Sequence, residues 1–359
     1  MLYIQKKEIF RMKKNLSGKK ALVFGLLAVL VLASCGGKSS GSASANAFGA
    51  IPVPPSPLKY SMAGGSVGGN FYLMGGGLAQ TINKHLPQYF LVTSETTGGG
   101  AANAGMLQRG EAEFGIVMTS SLFEAMQGEV KWTDGVKHEK LRGAAALYPS
   151  WLTIYTLKSS GIKSMQDING RIIGLGSKGM AMDSIFRQFL DEQKIVPKQI
   201  HNDGHGATAT ALGNGIIEVA LLFSYPPFAA IAELESTKDL FFVPLNAQEQ
   251  KSLTDKYSFY VADKMPAGSY KGTTEDVPGV SEWNMMVSSS DVPADMVYLV
   301  VKALFENQAD MIAVHPSSKF MTPQNNLNFN IPLHAGAVRY LKEVGVTVPQ
   351  KLIPPEYKE

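Results

Sequence analysis

Three observations predict an α/β fold with two domains. Apolar segments of strand length alternate with segments at helical spacing. Small residues fill the joins between them. About 300 residues follow a leader-like start, which is enough for two ordinary domains.

The chain opens with Lys13, Lys14, Lys19 and Lys20, followed by an apolar run from Ala21 to Ala33. That run is too short for a hydrocarbon core of ~30 Å and suits the apolar centre of a signal peptide. It ends in Leu32-Ala33-Ser34-Cys35, which is similar to the lipobox of bacterial lipoproteins. Residues 1–34 are therefore expected to be a lipoprotein signal peptide cut before Cys35. The Cys35 thiol would then carry a diacylglyceryl group and anchor the protein to membrane lipid, extracytoplasmically, in the cell envelope. An uncleaved membrane anchor is the competing reading. Cys35 is the only cysteine, so the mature chain has no internal disulfide and no thiol-based metal or catalytic site. Residues 35–57 run from Gly, Ser and Ala into Ile51-Pro-Val-Pro-Pro-Ser-Pro57 and read as a flexible tether that stiffens before the fold.

The expected elements follow in order. Leu58–Ala63 is a strand, and Asn70–His85 is a helix with Phe71, Leu73, Met74, Leu78 and Ile82 at helical spacing. Phe90–Ser94 is a strand, Ala101–Gln108 a helix and Phe114–Val117 a strand. Arg171–Gly174 (strand), Met180–Glu192 (helix), Ile200–Asn202 (strand), Ala207–Leu212 (helix) and Val219–Phe223 (strand) come next. This alternation argues for mostly parallel sheets. The joins are Gly64-Gly65-Ser66-Val67-Gly68-Gly69, Thr96-Thr97-Gly98-Gly99-Gly100 and Gly174-Leu175-Gly176-Ser177-Lys178-Gly179. In open α/β sheets the carboxyl ends of strands face the ligand crevice, and glycine there lets the backbone approach closely. Any one join is accounted for by a tight turn. Three together point to a cleft for an anion such as a carboxylate.

Composition and motifs narrow the function classes. The formal charge is +3, yet residues 1–34 hold seven Lys/Arg and one acid, so the remainder carries a charge of −3. With no dense basic patch interleaved with aromatics, nucleic acid is not an expected partner. Gly174-Leu-Gly-Ser-Lys-Gly179 with Asp203 has the spacing of a dinucleotide site, but it lies behind an export leader. His201 and His205 stand at i, i+4, yet Gly204 and Gly206 flank His205 and no third ligand is evident, so no metal is expected. The chain has no H-E-x-x-H and no supported S-x-x-K. Paired carboxylates such as Glu111/Glu113 and Glu233/Glu235 read as solvated surface. No catalytic residue or cofactor is expected, and the protein is read as a binding protein rather than an enzyme.

Several segments together resemble one family. These are Gly64-Gly-Ser-Val-Gly-Gly-Asn-Phe-Tyr72 with Gly75-Gly-Gly-Leu-Ala79, Glu95-Thr-Thr-Gly-Gly99 and Leu107-Gln-Arg-Gly-Glu-Ala-Glu-Phe-Gly115. Ala146-Leu-Tyr-Pro149, Gly161 to Gly170, Pro226-Pro227, Pro266-Ala-Gly-Ser-Tyr270, His315-Pro316 and Ile331 to Tyr340 continue the match in unbroken order. Over about residues 58–345 the chain resembles the TAXI family of TRAP transporter solute receptors. The resemblance implies a type II periplasmic-binding-protein-like fold, with two α/β lobes around a ligand cleft. The expected boundaries are 58–156 with 284–359 for lobe 1 and 157–283 for lobe 2, with a return strand at Trp283–Ser288. It also implies a monomer that takes a small organic anion to the TRAP transporter membrane subunits. The alternative is a ligand-sensing lipoprotein of the same fold reporting to a membrane kinase.

Ligand contacts in such a fold come from loops at strand carboxyl ends. The expected set is Ser66, Asn70 and Tyr72 from the first join, Thr97 and Gly98 from the second, and Met118 and Thr119 after the third strand. Lys178, Gly179 and Met180 come from the other lobe, with Ser224 and Tyr225 closing the far side. Where the family usually shows Gly-Ser-Gly-Thr, this chain has Ser177-Lys178-Gly179-Met180, and Met118-Thr119 replaces the common Gln-Ser or Gln-Ala. A cation and two thioethers favour a carboxylate with an apolar body. Lys178 reads equally as a solvated loop lysine on sequence alone.

Overall fold

The computed structural model describes residues 51–67, 69–178 and 181–358. The signal-peptide reading of 1–34, Cys35 and the first part of the tether lie outside the described residues, as do Gly179 and Met180. Residues 51–359 form one compact unit.

The first half runs β1 (Leu58–Ala63), α1 (Asn70–His85), β2 (Phe90–Glu95), α2 (Gly100–Arg109), β3 (Phe114–Met118), α3 (Thr119–Gln127) and β4 (Leu141–Leu157). Next come β5 (Ile172–Gly174), α4 (Ala181–Glu192), β6 (Gln199–His201), α5 (His205–Gly213), β7 (Val219–Ser224) and α6 (Ala229–Glu235). The chain ends with β8 (Leu240–Phe242), α7 (Ala247–Lys256), β9 (Val261–Met265), β10 (Val277–Ser289), α8 (Ala294–Glu306), α9 (Gln308–Val314) and α10 (Ala335–Glu343). Helix α1 has the predicted bounds. Helix α3 was not expected, and the return strand β10 begins well before Trp283.

Among the described residues the strands form one hydrogen-bonded sheet in the order β2-β1-β3-β10-β4-β7-β5-β6, with β8 on β4 and β9 on β10. The expectation of mostly parallel sheets needs correction. β1–β2, β1–β3, β5–β6 and β5–β7 are parallel, whereas β10 runs antiparallel to β3, β4 and β9, and β4 runs antiparallel to β7 and β8. The cause is strand length. At 17 and 13 residues, β4 and β10 are long enough to pair with strands at both ends, and they fuse what would otherwise be two sheets. β4 is buried along nearly its whole length, so its continuous apolar sequence marks a strand covered on both faces.

The cores separate by sequence. Two clusters draw their buried residues from between Met62 and Tyr148 and between Met285 and Leu352. Two others draw theirs from between Trp151 and Val280. Helix α1 buries Met74, Leu78 and Ile82 one turn apart, as a helix facing a sheet requires. Its glycines let it dock closely. A Cβ at Gly75 would lie 3.1 Å from the Gly64 Cα, and one at Gly77 would meet Val314 of α9 at 2.7 Å.

Candidate functional site

The carboxyl ends of β1, β2 and β3 are tied together by side chains. Ser66 Oγ donates to the Thr97 carbonyl at 3.2 Å, and Thr97 Oγ1 donates to the Gly64 carbonyl at 3.2 Å. The fully buried Asn103 of α2 is the centre of this knot. Its Nδ2 reaches the carbonyls of Ala63 (3.1 Å), Gly64 (2.7 Å) and Ile116 (2.7 Å), while Oδ1 accepts from Thr97 Oγ1 at 2.6 Å. The two amide protons are shared among three carbonyls and the amide oxygen faces the Thr97 hydroxyl, so one side chain ties β1, β3 and the loop after β2 together. The first two joins thus come together as expected, with Ser66 and Gly98 exposed and Thr97 half-buried. Asn70 and Tyr72 open α1 directly after the first join, and Tyr72 is 40% exposed.

Met118 and Thr119 are the N-cap and first residue of α3. Met118 packs against the core drawn from the 152–280 segment. Thr119 is buried: its Oγ1 accepts from the Trp283 N–H at 3.3 Å, and its carbonyl accepts from Asn330 Nδ2 at 2.9 Å. The Ser120 N–H donates to Glu282 Oε2 at 3.0 Å, so a carboxyl group on β10 caps a helix that has no local cap. Burial pushes Glu282 up to about 7, against the donors Ser120 and Thr119, which pull it down. Glu124, one turn into α3, is also raised by burial. It accepts from Trp132 Nε1 at 2.8 Å and from Ser184 Oγ of α4 at 3.2 Å.

At the end of β7, Ser224 is buried and Tyr225 half-buried. Tyr225 is the hub of an aromatic group. Its ring lies 5.7 Å from Trp151, 6.1 Å from Tyr148, 5.6 Å from His315 and 6.2 Å from Phe320. Phe320 also meets Trp283 at 6.5 Å. The path Thr119–Trp283–Phe320–Tyr225 therefore joins the α3 end of the site to the β7 end.

Lys178 is exposed in the turn after β5 and pairs with no described acid. Lys178 makes no hydrogen bond or ion pair with the other described nominated residues. Two cavities, of ≈320 and ≈530 Å³, flank α6, and no nominated residue lines either. His201 ends β6 and His205 begins α5, and the described residues contain no cluster of three or more metal-ligating side chains.

Sequence reasoning missed Asn103, Glu282, Trp283 and Phe320. Asn103 sits in an alanine-rich stretch with no motif around it, and Glu282 acts on a helix far away in the chain. The signal for the aromatic group was present in part, because Tyr148-Pro149-Ser150-Trp151 stands out as an aromatic pair near the expected lobe boundary.

Residues 62–345 match the NMT1-like family. The chain belongs to that family. A solved structure described as a periplasmic transporter aligns with this NMT1-like chain at a TM-score of 0.50 and 14% identity, covering 82% of this chain and 94% of that one. The periplasmic binding protein BugD aligns at 0.49 and 14% identity, covering 74% and 87%. A binding-protein component of a phosphonate ABC transporter from Pseudomonas aeruginosa aligns at 0.48 and 10% identity, covering 80% and 94%. This NMT1-like protein has the mixed α/β fold of periplasmic binding proteins.

Proposed function

We infer that this chain is the extracytoplasmic solute receptor of a TRAP transporter of the TAXI type, which binds a small organic anion and delivers it to the membrane subunits without turnover. The observation that carries the reading is convergence. In a chain of the NMT1-like family with a periplasmic-binding-protein fold, Asn103 ties the loops after β1 and β2 to β3, and Trp283 and Phe320 link the end of β3 to that of β7. That is where ligands sit in open α/β folds.

The proposed lobes are 58–156 with 284–359 and 157–283; the separation of the cores supports such a division, although Trp151 to Tyr155 of β4 pack with the second set. The proposed source of the positive charge that holds the carboxylate is Lys178, exposed after β5 and followed in sequence by Gly179 and Met180. Met118, Tyr225 and the aromatic group provide an apolar wall. Residues 1–34 direct export, and Cys35 tethers the receptor to lipid through the 35–57 segment, next to its membrane partner.

The test is uptake. Proteoliposomes containing TAXI-type TRAP membrane subunits from the same genome, under an ion gradient, are expected to accumulate an organic acid only when the receptor is added. Uptake indifferent to the receptor would contradict the reading, as would a neighbouring kinase in place of membrane subunits.

A further inference from the structure

Tyr148 lies on β4 beyond the point where β7 ends, since β7 pairs with β4 only from Trp151 onward. It is 1% exposed, and its hydroxyl is buried with no hydrogen-bond partner among the described residues. A buried hydroxyl without a partner is costly and uncommon in native proteins, and each instance calls for a reason. Its ring meets Tyr225 edge-on at 6.1 Å and His315 at 6.4 Å, and both of those residues are only half-buried. The ring that carries the orphan hydroxyl therefore packs directly against half-buried residues at the β7 end of the site.

His315 adds a second donor. Its Nδ1 accepts from the Ser317 N–H at 3.2 Å, capping the short turn Pro316–Phe320. With Nδ1 used as an acceptor, the neutral ring carries its proton on Nε2, which makes no hydrogen bond to a described residue. Burial lowers the affinity of this imidazole for a second proton and so keeps it neutral. Two uncharged donors, Tyr148 O–H and His315 Nε2–H, thus stand around Tyr225 within aromatic walls formed by Trp151 and Phe320.

We propose that Tyr148 is a ligand-binding residue whose missing partner is an oxygen of the bound solute, a carbonyl or carboxyl acceptor. The inference rests on the receptor reading and adds to it. The solute presents an oxygen acceptor to the aromatic end of the site, and the apolar surroundings select for a body that can pack against Tyr225. The hydroxyl is kept despite its cost to the unliganded fold because it is satisfied in the complex.

The experiment is thermal unfolding of wild type and Tyr148→Phe, in buffer and with succinate, pyruvate, 2-oxoglutarate or glutamate added over a concentration series. In buffer, removing an unpartnered buried hydroxyl is expected to raise Tm by about 2–4 °C. With the acid that stabilises wild type, the variant is expected to need roughly five- to fifty-fold more for the same shift. A variant that responds to that acid as wild type does overturns the role of Tyr148 and leaves the receptor reading standing. A variant that melts lower in buffer also overturns it, because the hydroxyl would then be serving the fold. Wild type that responds to none of the four acids contradicts the organic-anion reading itself, and this inference with it.

Discussion

At the scale of single residues, Asn103 has the widest effect on the site. One amide is shared among the carbonyls of Ala63, Gly64 and Ile116 and the hydroxyl of Thr97. Replacing it with alanine leaves several buried acceptors unpaired, at a cost of about 1–3 kcal/mol. Asn103→Ala is therefore expected to lower the unfolding free energy by that amount and so to move the denaturation midpoint down. It should also weaken solute binding, because the Ser66 and Thr97 loops lose their common fixed point. Equal midpoints in chemical denaturation would show that the knot carries no strain-bearing role. This residue was not legible in the sequence. Thr97 stood out because it belongs to a glycine-rich join, whereas the importance of Asn103 comes from strand ends that only the folded sheet brings together.

At the scale of elements, α3 shows where local reading stops. The helix has no side-chain cap of its own, and its N-terminus is completed by Glu282 from β10. A start signal supplied from so far away is invisible to any window of sequence, so Met118 and Thr119 read as a strand end alone. By contrast α1, whose apolar stripe is local, was legible to the residue. The Glu282 cap has a pH signature. Its folded-state value of about 7 lies above the usual 4.5, so the native state holds a proton that the unfolded chain has lost between those values. Stability from this group is fully present below pH 4.5 and is lost as pH rises through 7, on the order of 3 kcal/mol in total.

His334, beside Val292 at the start of α10, works in the opposite direction. Its Nδ1 accepts from the Gly336 N–H and its Nε2–H donates to the Val292 carbonyl, and burial pushes it down to about 4. The unfolded chain therefore takes up a proton first, and stability from this group falls as pH drops from 6.5 toward 4. In wild type the two effects oppose each other between about pH 4.5 and 6.5. Glu282→Gln removes one of them. Its Tm is expected to rise from pH 4 to 6.5 and then stay level to pH 8, where wild type declines. Superimposable melting profiles for the two proteins would rule out a buried, proton-holding Glu282.

At the scale of the whole molecule, the fold class was legible and the sheet connectivity was not. Alternating strands and helices with glycine joins were enough for the α/β class, because those patterns are set within each element. The continuous sheet depends on β4 and β10 pairing at both ends, a consequence of length and register rather than of residue type. The same distinction governs the site. Loop residues at strand ends were found from the chain, whereas the aromatic hub around Tyr225 gathers segments from β4, β7, β10 and the Pro316–Phe320 turn. The central claim is that this assembly binds a small organic anion, and titration calorimetry tests it most directly. Wild type and Lys178→Met are each titrated with a panel of monocarboxylates, dicarboxylates and oxo acids. A charge-assisted hydrogen bond contributes about 1.5–3 kcal/mol, so wild type is expected to bind at least one acid with a micromolar or tighter Kd, and the variant to bind it ten- to a hundred-fold more weakly. Equal affinities would remove Lys178 from the site, and the absence of binding to every acid in the panel would contradict the account.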